Sequence, residues 1–179
     1  MGRVLQIMII GNPYRLSFFV EVIEEWNRKG DIPSFRNGVF LLCLNGELFP
    51  KQVNTSTLNV DISDLKDRLL NIPVDEETFN MGKQEAFIKM HNLTFPEEGG
   101  CDYSCRFYIS PPALYDYCCY AFAVSNKSQV RIMVAKLNYI IEKSTSNLNN
   151  IDVIEAIITH DELNEIIFEL NKIINSTSA

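Results

Sequence analysis

The stretch NGVFLLCLNGELFPK, residues 37–51, decides the fold class. Six apolar residues run without a break from position 39 to position 44, and Asn45-Gly46 follows directly. A short apolar run between turn residues is typical of a strand covered on both faces. Asn-Gly is the pair that best tolerates the positive φ angles of a type I′ turn. The sequence therefore predicts a tight hairpin of residues 39–44 and 47–49, central to a sheet and ended by Pro50. This stretch is scaffold, and neither a nucleophile loop nor a membrane segment.

A second hairpin is predicted further along the chain. Residues 117–124 and 130–137 are rich in apolar side chains and flank a polar turn at 125–128. Their β-branched and aromatic content favours strands. Further strand candidates are residues 18–23, 106–109 and 151–158.

Three segments have the spacing of helices that bury one face. The first has Asn59 or Asp61 as its N-cap, and the second ends before Pro96. The third begins with a capping box, in which Thr159 is followed three residues later by Glu162. The apolar positions are Ile62, Leu65 and Leu69 in the first, Ala86, Phe87 and Met90 in the second, and Leu163, Ile166, Ile167, Leu170, Ile173 and Ile174 in the third.

These elements predict one α+β domain, a mainly antiparallel sheet with helices packed on it. A length of 179 residues suits a single domain. Residues 175–179 read as a flexible polar tail, and residues 30–37 and 96–102 as mobile loops. Met8 is an alternative start, which would make residues 1–7 an addition to the natural chain.

The N-terminal segment predicts a cytoplasmic protein. Arg3 precedes an apolar run at residues 4–10, which is faintly like a signal peptide. However, Gln6 interrupts the run and no small-residue cleavage pattern follows it. No apolar run approaches the roughly 18 residues that a membrane-spanning helix needs, so no membrane association is expected.

Catalytic and metal-binding motifs are missing from the sequence. There is no nucleophile elbow, phosphate-binding glycine loop or metalloprotease spacing around the two histidines, His91 and His160. His160 is expected to be exposed, and His91 to end a helix, where a cation is mildly favoured. Cys101 and Cys105 could supply two zinc ligands, but a tetrahedral site needs two more. We therefore expect no cofactor, no bound metal and no enzyme activity, although a carboxylate-only catalyst leaves little sequence signature.

Negative charge is concentrated in two blocks of the chain. The formal net charge is -7, which disfavours a nucleic-acid binder. Residues 61–100 and residues 151–179 each carry a net charge of -5, whereas the rest of the chain is slightly basic. The acids of the second block lie on the polar side of the last helix, where solvation explains them: Asp161, Glu162, Glu165 and Glu169.

The acids of the first block and the loop after it have two interpretations. Asp75-Glu76-Glu77 lies at a predicted helix start, where carboxylates are favoured in any case. The sharper hypothesis is a docking surface for a basic protein, because complementary charge speeds encounter and suppresses wrong partners. The residues predicted to contact the partner are Glu76, Glu77, Glu97, Glu98 and Asp102. If they do not, aromatic anchors offer a second candidate interface: Tyr103, Tyr108, Tyr115 and Tyr117.

An ordered series of short phrases resembles a known family. The phrases are IIGNPY at 9–14, VIEEW at 22–26, NGVF at 37–40, NGELFPK at 45–51, TSTLN at 55–59, SPP at 110–112, CYAF at 119–122 and VRI at 130–132. In order and spacing they resemble bacterial polymorphic-toxin immunity proteins of the immunity protein 42 family, over roughly residues 8–170. None of the phrases is a catalytic motif, and the family supplies no binding residue that can be transferred to a position here.

The resemblance implies an antitoxin. Such proteins bind the C-terminal domain of a cognate secreted toxin in the cytoplasm and block it, often within contact-dependent growth inhibition systems. An acidic antidote suits a basic toxin, and a nuclease is the leading expectation because it must hold phosphates. The alternative is a small non-catalytic binding or regulatory module of another system. The sequence makes no prediction of oligomeric state.

Overall fold

The computed structural model describes residues 7–27, 36–96, 106–137 and 151–177, with side chains to residue 174. It contains two antiparallel sheets, five α-helices and a short 3-10 helix, Glu24–Trp26, within these ranges. The predicted α+β class is confirmed, but the strands form two sheets where the sequence analysis expected one. Some predictions concern residues that the structure does not describe. These are residues 1–6, most of the predicted loops at 30–37 and 96–102, and the end of the tail at 175–179.

The first sheet is built from β1 (Ile7–Gly11), β2 (Leu16–Val22), β3 (Asn37–Leu44), β4 (Glu47–Phe49) and β5 (Ser56–Thr57). Its order is β1-β2-β3-β4, and β5 pairs with the start of β3. The Asn45-Gly46 hairpin is confirmed, since Leu44 pairs with Glu47 and both turn residues have positive φ angles, 50° and 84°. Of the two strands of this hairpin, β3 lies inside the sheet, whereas the three-residue β4 is an edge strand.

The second sheet is built from β6 (Cys119–Ser125), β7 (Gln129–Lys136) and β8 (Ile154–Thr159). The predicted second hairpin is confirmed, with its boundaries shifted by one or two residues. All seven residues of β6 and six of the eight residues of β7 are buried. Both strands of this hairpin are therefore covered on both faces, which accounts for their unbroken apolar runs.

The helices are α1 (Leu58–Leu69), α2 (Glu76–Asn80), α3 (Lys83–Thr94), α4 (Pro112–Tyr115) and α5 (His160–Thr177). The capping box of α5 is confirmed, because the Thr159 N–H donates to Glu162 at 2.8 Å and the Glu162 N–H donates to the Thr159 hydroxyl at 3.2 Å. The apolar stripe of α5 lies in the core, as predicted.

Two apolar clusters hold these layers together. The larger joins one face of the first sheet to α1, α4, α5 and one face of the second sheet. The smaller lies on the opposite face of the second sheet, where Tyr120 and Phe122 of β6 pack against Phe87 and Met90 of α3. Each sheet thus contributes to the larger cluster, but only the second sheet is covered again on its far side.

A buried arginine fastens the far side of the second sheet. Arg131 is 5% exposed and donates to the Glu155 carboxylate on β8 at 2.6 and 2.8 Å. Its remaining donors reach the carbonyls of Phe79, at 2.8 Å, and Met81, at 2.6 Å, at the end of α2. These bonds fix α2 to the sheet and satisfy a charge that burial alone would strongly disfavour.

Two local predictions were wrong. Residues 106–109 form a short 3-10 turn and a single bridge from Tyr108 to Phe122 instead of a strand. Neither Asn59 nor Asp61 caps α1, because the helix starts at Leu58 and its N-cap is Thr57, two residues before Asn59 and four before Asp61. Asp61 is instead buried and accepts hydrogen bonds from the Ser56 hydroxyl and, at 2.8 Å, from the Ala113 N–H. Burial raises the pKa of this carboxyl above its ordinary value, and the two hydrogen bonds partly oppose that rise.

His160 is less exposed than predicted, and His91 is buried near the end of α3. His160 is half-buried, with Nε2 3.3 Å from the Asn126 carbonyl. His91 is 5% exposed and packs against the rings of Phe95, Tyr120 and Phe122. Burial lowers the pKa of His91. The cost of desolvating a cation at this position therefore outweighs the stabilisation that a helix C-terminus gives to a cation.

Candidate functional site

The predicted acidic contact residues are only partly described. Glu76 and Glu77 begin α2 and are well exposed, with 58% and 76% of their side chains accessible. Glu97, Glu98 and Asp102 lie outside the described residues. The Glu76 carboxylate is 3.5 Å from the Lys127 ammonium and the Glu77 carboxylate is 3.2 Å from that of Lys89.

The start of α2 therefore has a local structural role. Asp75 is its N-cap and accepts hydrogen bonds from the Thr78 N–H at 3.0 Å and the Thr78 hydroxyl at 2.7 Å. The bond from the Thr78 N–H is the main cause of the lowered pKa of the Asp75 carboxyl. Glu76 and Glu77 each have a nearby cation, so the field of this cluster is weaker than its sequence suggests.

The acids of α5 surround an exposed aromatic ring. Phe168 is 60% exposed, and it lines a groove of about 250 Å³ together with Gly11, Glu162, Glu165 and Glu169. Gly11 is required at the groove floor, because a Cβ there would meet the Leu16 carbonyl oxygen at 2.4 Å and its φ is +91°.

Two of these α5 carboxylates already form ion pairs within the protein. Glu162 accepts a hydrogen bond from the Arg15 guanidinium, which also donates to the Ile157 carbonyl and so ties the β1–β2 turn to α5. Its pKa is lowered chiefly by the hydrogen bond from the Thr159 N–H. Glu169 pairs with Lys172 at 2.6 Å. Solvation, capping and local pairing explain much of this block, as the sequence analysis expected.

The aromatic candidates divide between core and surface. Tyr108 is 8% exposed and belongs to the smaller apolar cluster, while Tyr115 is 48% exposed. Both line an open cavity of about 410 Å³ with Phe95 and Val60. The Arg68 guanidinium lies 5.0 Å from the Tyr108 ring at the same cavity, and Tyr103 lies outside the described residues.

The outward side of the first sheet is the surface that the sequence analysis did not single out. Alternation along the strands turns Phe18, Val20 and Phe40 into the core and leaves the residues between them facing outward. We name this outward side the outer face, and its members are Ile7, Ile9, Phe19, Glu21, Val39, Leu41 and Leu48.

Strand register places these side chains side by side. Ile9 pairs with Phe19, which pairs with Leu41, and in the next row Ile7 pairs with Glu21, which pairs with Val39. Six of the seven members are apolar. An antiparallel sheet with one face in water usually carries polar side chains on that face. The apolar outer face departs from this rule, and an exposed apolar surface of this kind marks a candidate interaction site.

The run at 39–44 explains why this face was missed. The prediction assigned the run to a strand covered on both faces, but Val39 and Leu41 are only half-buried in the described structure. Cys43 alone of the outward side chains of this run is buried, because the β1–β2 turn folds over it and its Sγ donates to the Pro13 carbonyl at 3.3 Å. An unbroken apolar strand cannot reveal by its sequence whether the second face is covered by the same chain or by a partner.

The described residues include no group of three or more side chains that could hold a metal ion. Cys101 and Cys105 are not among them. Cys119 is buried, and burial raises the pKa of its thiol to about 11, so it is protonated near neutral pH and a poor nucleophile. In the ranges the structure covers, none of the helices has the length and apolar composition to cross a bilayer.

Comparison with known proteins gives a family and a fold. The family described as immunity protein 42 matches residues 8–173. A solved structure, the crystal structure of CdiI from Burkholderia dolosa AUO158, is similar with a TM-score of 0.73 and 22% sequence identity over 92% of this chain and 99% of that chain. At that identity the likeness shows a shared fold. No curated protein sequence matches this chain.

Proposed function

This chain belongs to the immunity protein 42 family, and from that premise we propose that it neutralises its cognate toxin by direct, tight, non-covalent binding that occludes the toxin domain. The match of the family over residues 8–173 is the observation that carries the proposal. An immunity protein protects the cell that makes it, so its partner is a toxin protein. The described fold offers this partner strands and helices that hold contact residues in fixed relative positions.

Inhibition by binding, without catalysis, is the second part of the proposal. Two buried charged groups of the described ranges have structural partners: Arg131 is paired with Glu155, and Asp61 accepts hydrogen bonds from Ser56 and Ala113. Groups engaged in this way are not poised as a nucleophile or a general base. A toxin inhibitor needs neither, because occluding the toxin site is sufficient.

The finer identity of the partner is inferred from charge. We propose that it is the C-terminal domain of a secreted toxin, delivered by a contact-dependent system, that acts in the cytoplasm and is most simply a nuclease. The chain carries a net charge of -7, and a nuclease presents Lys and Arg around its phosphate-binding site. Opposite fields would accelerate the encounter of the two proteins.

The acidic residues are proposed to act mainly in this encounter. Glu76 and Glu77 are more than half exposed, so a pair they form with the toxin has a rim-like setting, in which charge affects the association rate more than the dissociation rate. Glu97, Glu98 and Asp102 stay in the proposal on their sequence position alone.

Co-expression tests the function directly. The toxin domain encoded beside this gene is induced in cells with and without the protein, and the purified pair is titrated by calorimetry. Rescue of growth together with a submicromolar dissociation constant supports neutralisation by binding, on the scale where about 8 kcal/mol corresponds to micromolar affinity. A wild-type protein that neither protects nor binds refutes the proposal.

Charge reversal tests the acidic docking. The variants carry Lys at Glu76, Glu77, Glu97, Glu98 and Asp102, singly and together, with folding checked by thermal melting. Slower association at low salt, with the difference shrinking at moderate salt, is the expected result. If the combined variant folds, binds and protects as the wild type does at both salts, acidic docking is wrong and the interface lies elsewhere.

A further inference from the structure

We infer that the outer face of the first sheet is the docking surface for the toxin, and that the toxin meets it with apolar side chains and one basic residue aligned with Glu21. This inference rests on the proposed function and adds the surface and the chemistry of the contact. In this inference, burial of apolar side chains on the sheet provides most of the binding affinity. The exposed acids mainly accelerate the encounter with the toxin.

The exposure of the outer face is the first observation. Ile7 and Ile9 are 56% and 54% exposed, and Leu48 on the opposite edge strand is 39% exposed. Between them Phe19, Val39 and Leu41 are half-buried. Register makes these side chains neighbours across the strands, so they form one apolar surface. A surface of this kind with a polar rim is typical of a protein–protein interface.

A cavity continues the surface at the β3–β4 hairpin. It measures about 390 Å³ and is lined by Leu41, Leu48, Pro50 and Val53, among others. Val53 is 69% exposed at its edge. The ion pair between Lys51 and Glu47, at 3.1 Å, lies on its rim. A concave apolar site beside a flat one is the arrangement in which an anchor side chain of a partner is desolvated most completely.

Glu21 indicates which partner fits. Register places it on the outer face between Ile7 and Val39, where it is half-buried. No cation among the described residues lies within salt-bridge distance of its carboxylate. Covering this face would bury the charge, which is unfavourable unless the covering surface supplies a hydrogen-bonding cation.

A second copy of the chain does not meet that requirement. Two outer faces packed on each other would bury two Glu21 carboxylates in one apolar interface. A toxin domain with Arg or Lys at this position satisfies the carboxylate and presents the opposite charge, as a basic nuclease surface would. Charge complementarity therefore selects the toxin over a self-association.

The experiment compares exposed apolar positions on two surfaces. Ile9→Lys and Leu48→Lys place a charge on the outer face, and Glu21→Gln removes the carboxylate while keeping its shape. Leu70→Lys and Leu93→Lys are matched controls, since these side chains lie away from the outer face and are 58% and 41% exposed. Each variant is titrated with the toxin domain encoded beside this gene, and its folding is checked by thermal melting.

We expect each outer-face Lys variant to weaken binding by about tenfold or more, the range of a truncated hot spot, while both controls bind as the wild type does. Glu21→Gln should weaken binding and reduce its salt dependence. If Ile9→Lys does not fold, Ile9→Ser replaces it. Outer-face variants that bind as the wild type does, or controls that lose as much, overturn the inference.

Two further outcomes separate this inference from its premise. If the wild type fails to bind the toxin, the proposed function itself falls. If Ile9→Lys converts a wild-type dimer to a monomer without changing toxin affinity, the outer face is a contact between copies of this chain, and the inference is wrong while neutralisation stands. Sedimentation of the free proteins distinguishes these cases.

Discussion

The two sheets contain similar strands and have different surroundings. In the second sheet, β6 is buried along its whole length, because α4 and the larger apolar cluster cover one face and α2 and α3 cover the other. In the first sheet, the inner face packs on α1, α4 and α5, whereas the outer face keeps Ile7 and Ile9 more than half exposed. This difference is the basis of the docking surface proposed above: β6 and β7 of the second sheet are buried on both faces, whereas the first sheet has one open face.

The smaller apolar cluster should tolerate truncation least. Phe122 is fully buried and packs edge-on against Phe87, with ring centroids 5.1 Å apart. Phe122→Ala removes that packing and leaves a cavity, so we expect a loss of about 4 kcal/mol in the free energy of unfolding. Urea denaturation followed by circular dichroism measures it. A loss below about 1 kcal/mol would mean that the far side of the second sheet is loosely packed and the contrast between the sheets is false.

The buried carboxylate beneath the first sheet should come next. Asp61→Ala leaves the Ser56 hydroxyl and the Ala113 N–H without their acceptor, and we expect a loss of about 2–3 kcal/mol in unfolding free energy. Asp61→Asn keeps an acceptor oxygen and should lose roughly half as much. The same denaturation series compares them. Equal stabilities for the wild type and Asp61→Ala would show that these bonds do not hold α1 to α4.

The second sheet should also make stability depend on pH through His91. Burial lowers the folded pKa of His91 below its ordinary 6.5, so the unfolded chain binds the proton first as pH falls. The contribution of His91 is thus fully present above pH 6.5 and is lost as pH drops from there towards the folded pKa.

His91→Met supplies the control, because it fills a similar volume and does not titrate. Unfolding free energies at about pH 7.5 and about pH 5.5 should differ more for the wild type than for the variant. If the wild type loses no more unfolding free energy at the lower pH than His91→Met does, His91 is not buried in its neutral form.

The outer face should be the most tolerant region for stability. Ile9 is 54% exposed on an edge strand, so Ile9→Ser should cost about 0.5–1 kcal/mol of unfolding free energy, far less than Phe122→Ala. Thermal melting of the two variants side by side checks the ratio. An Ile9→Ser variant as unstable as Phe122→Ala would place Ile9 in the core and remove the outer face as a surface.

The sequence predicts local pairing better than it predicts what covers a strand. The turn at Asn45-Gly46 and the capping box of Thr159 and Glu162 were confirmed, because each is decided by a few neighbouring residues. The α+β class followed from the same local patterns. The division into two sheets did not, because strand order depends on long-range packing that no short window contains.

The misassigned residues have tertiary causes. Asp61 has the sequence position of a cap, but it is buried and accepts hydrogen bonds from Ser56, which is near in sequence, and from Ala113, which is distant. His91 looked like a helix-end cation, but Phe95 and Tyr120 exclude water from it. Of the predicted contact acids, Glu76 and Glu77 are exposed as a docking residue must be, and their role remains a prediction. The outer face had a sequence signal, the run at 39–44, but the signal is the same for a covered strand and an uncovered one.

Hydrogen exchange of the free protein and of its complex with the toxin domain tests the central claim most directly. Edge strands exchange faster than central strands because fewer of their amides are protected, so β1 and β4 report sensitively on a partner that covers the outer face. We predict that binding slows exchange in β1, β4 and residues 51–53, and leaves α3 unchanged. Slowed exchange confined to α2, α3 or α5, with β1 and β4 as in the free protein, would contradict the docking surface proposed for this antitoxin.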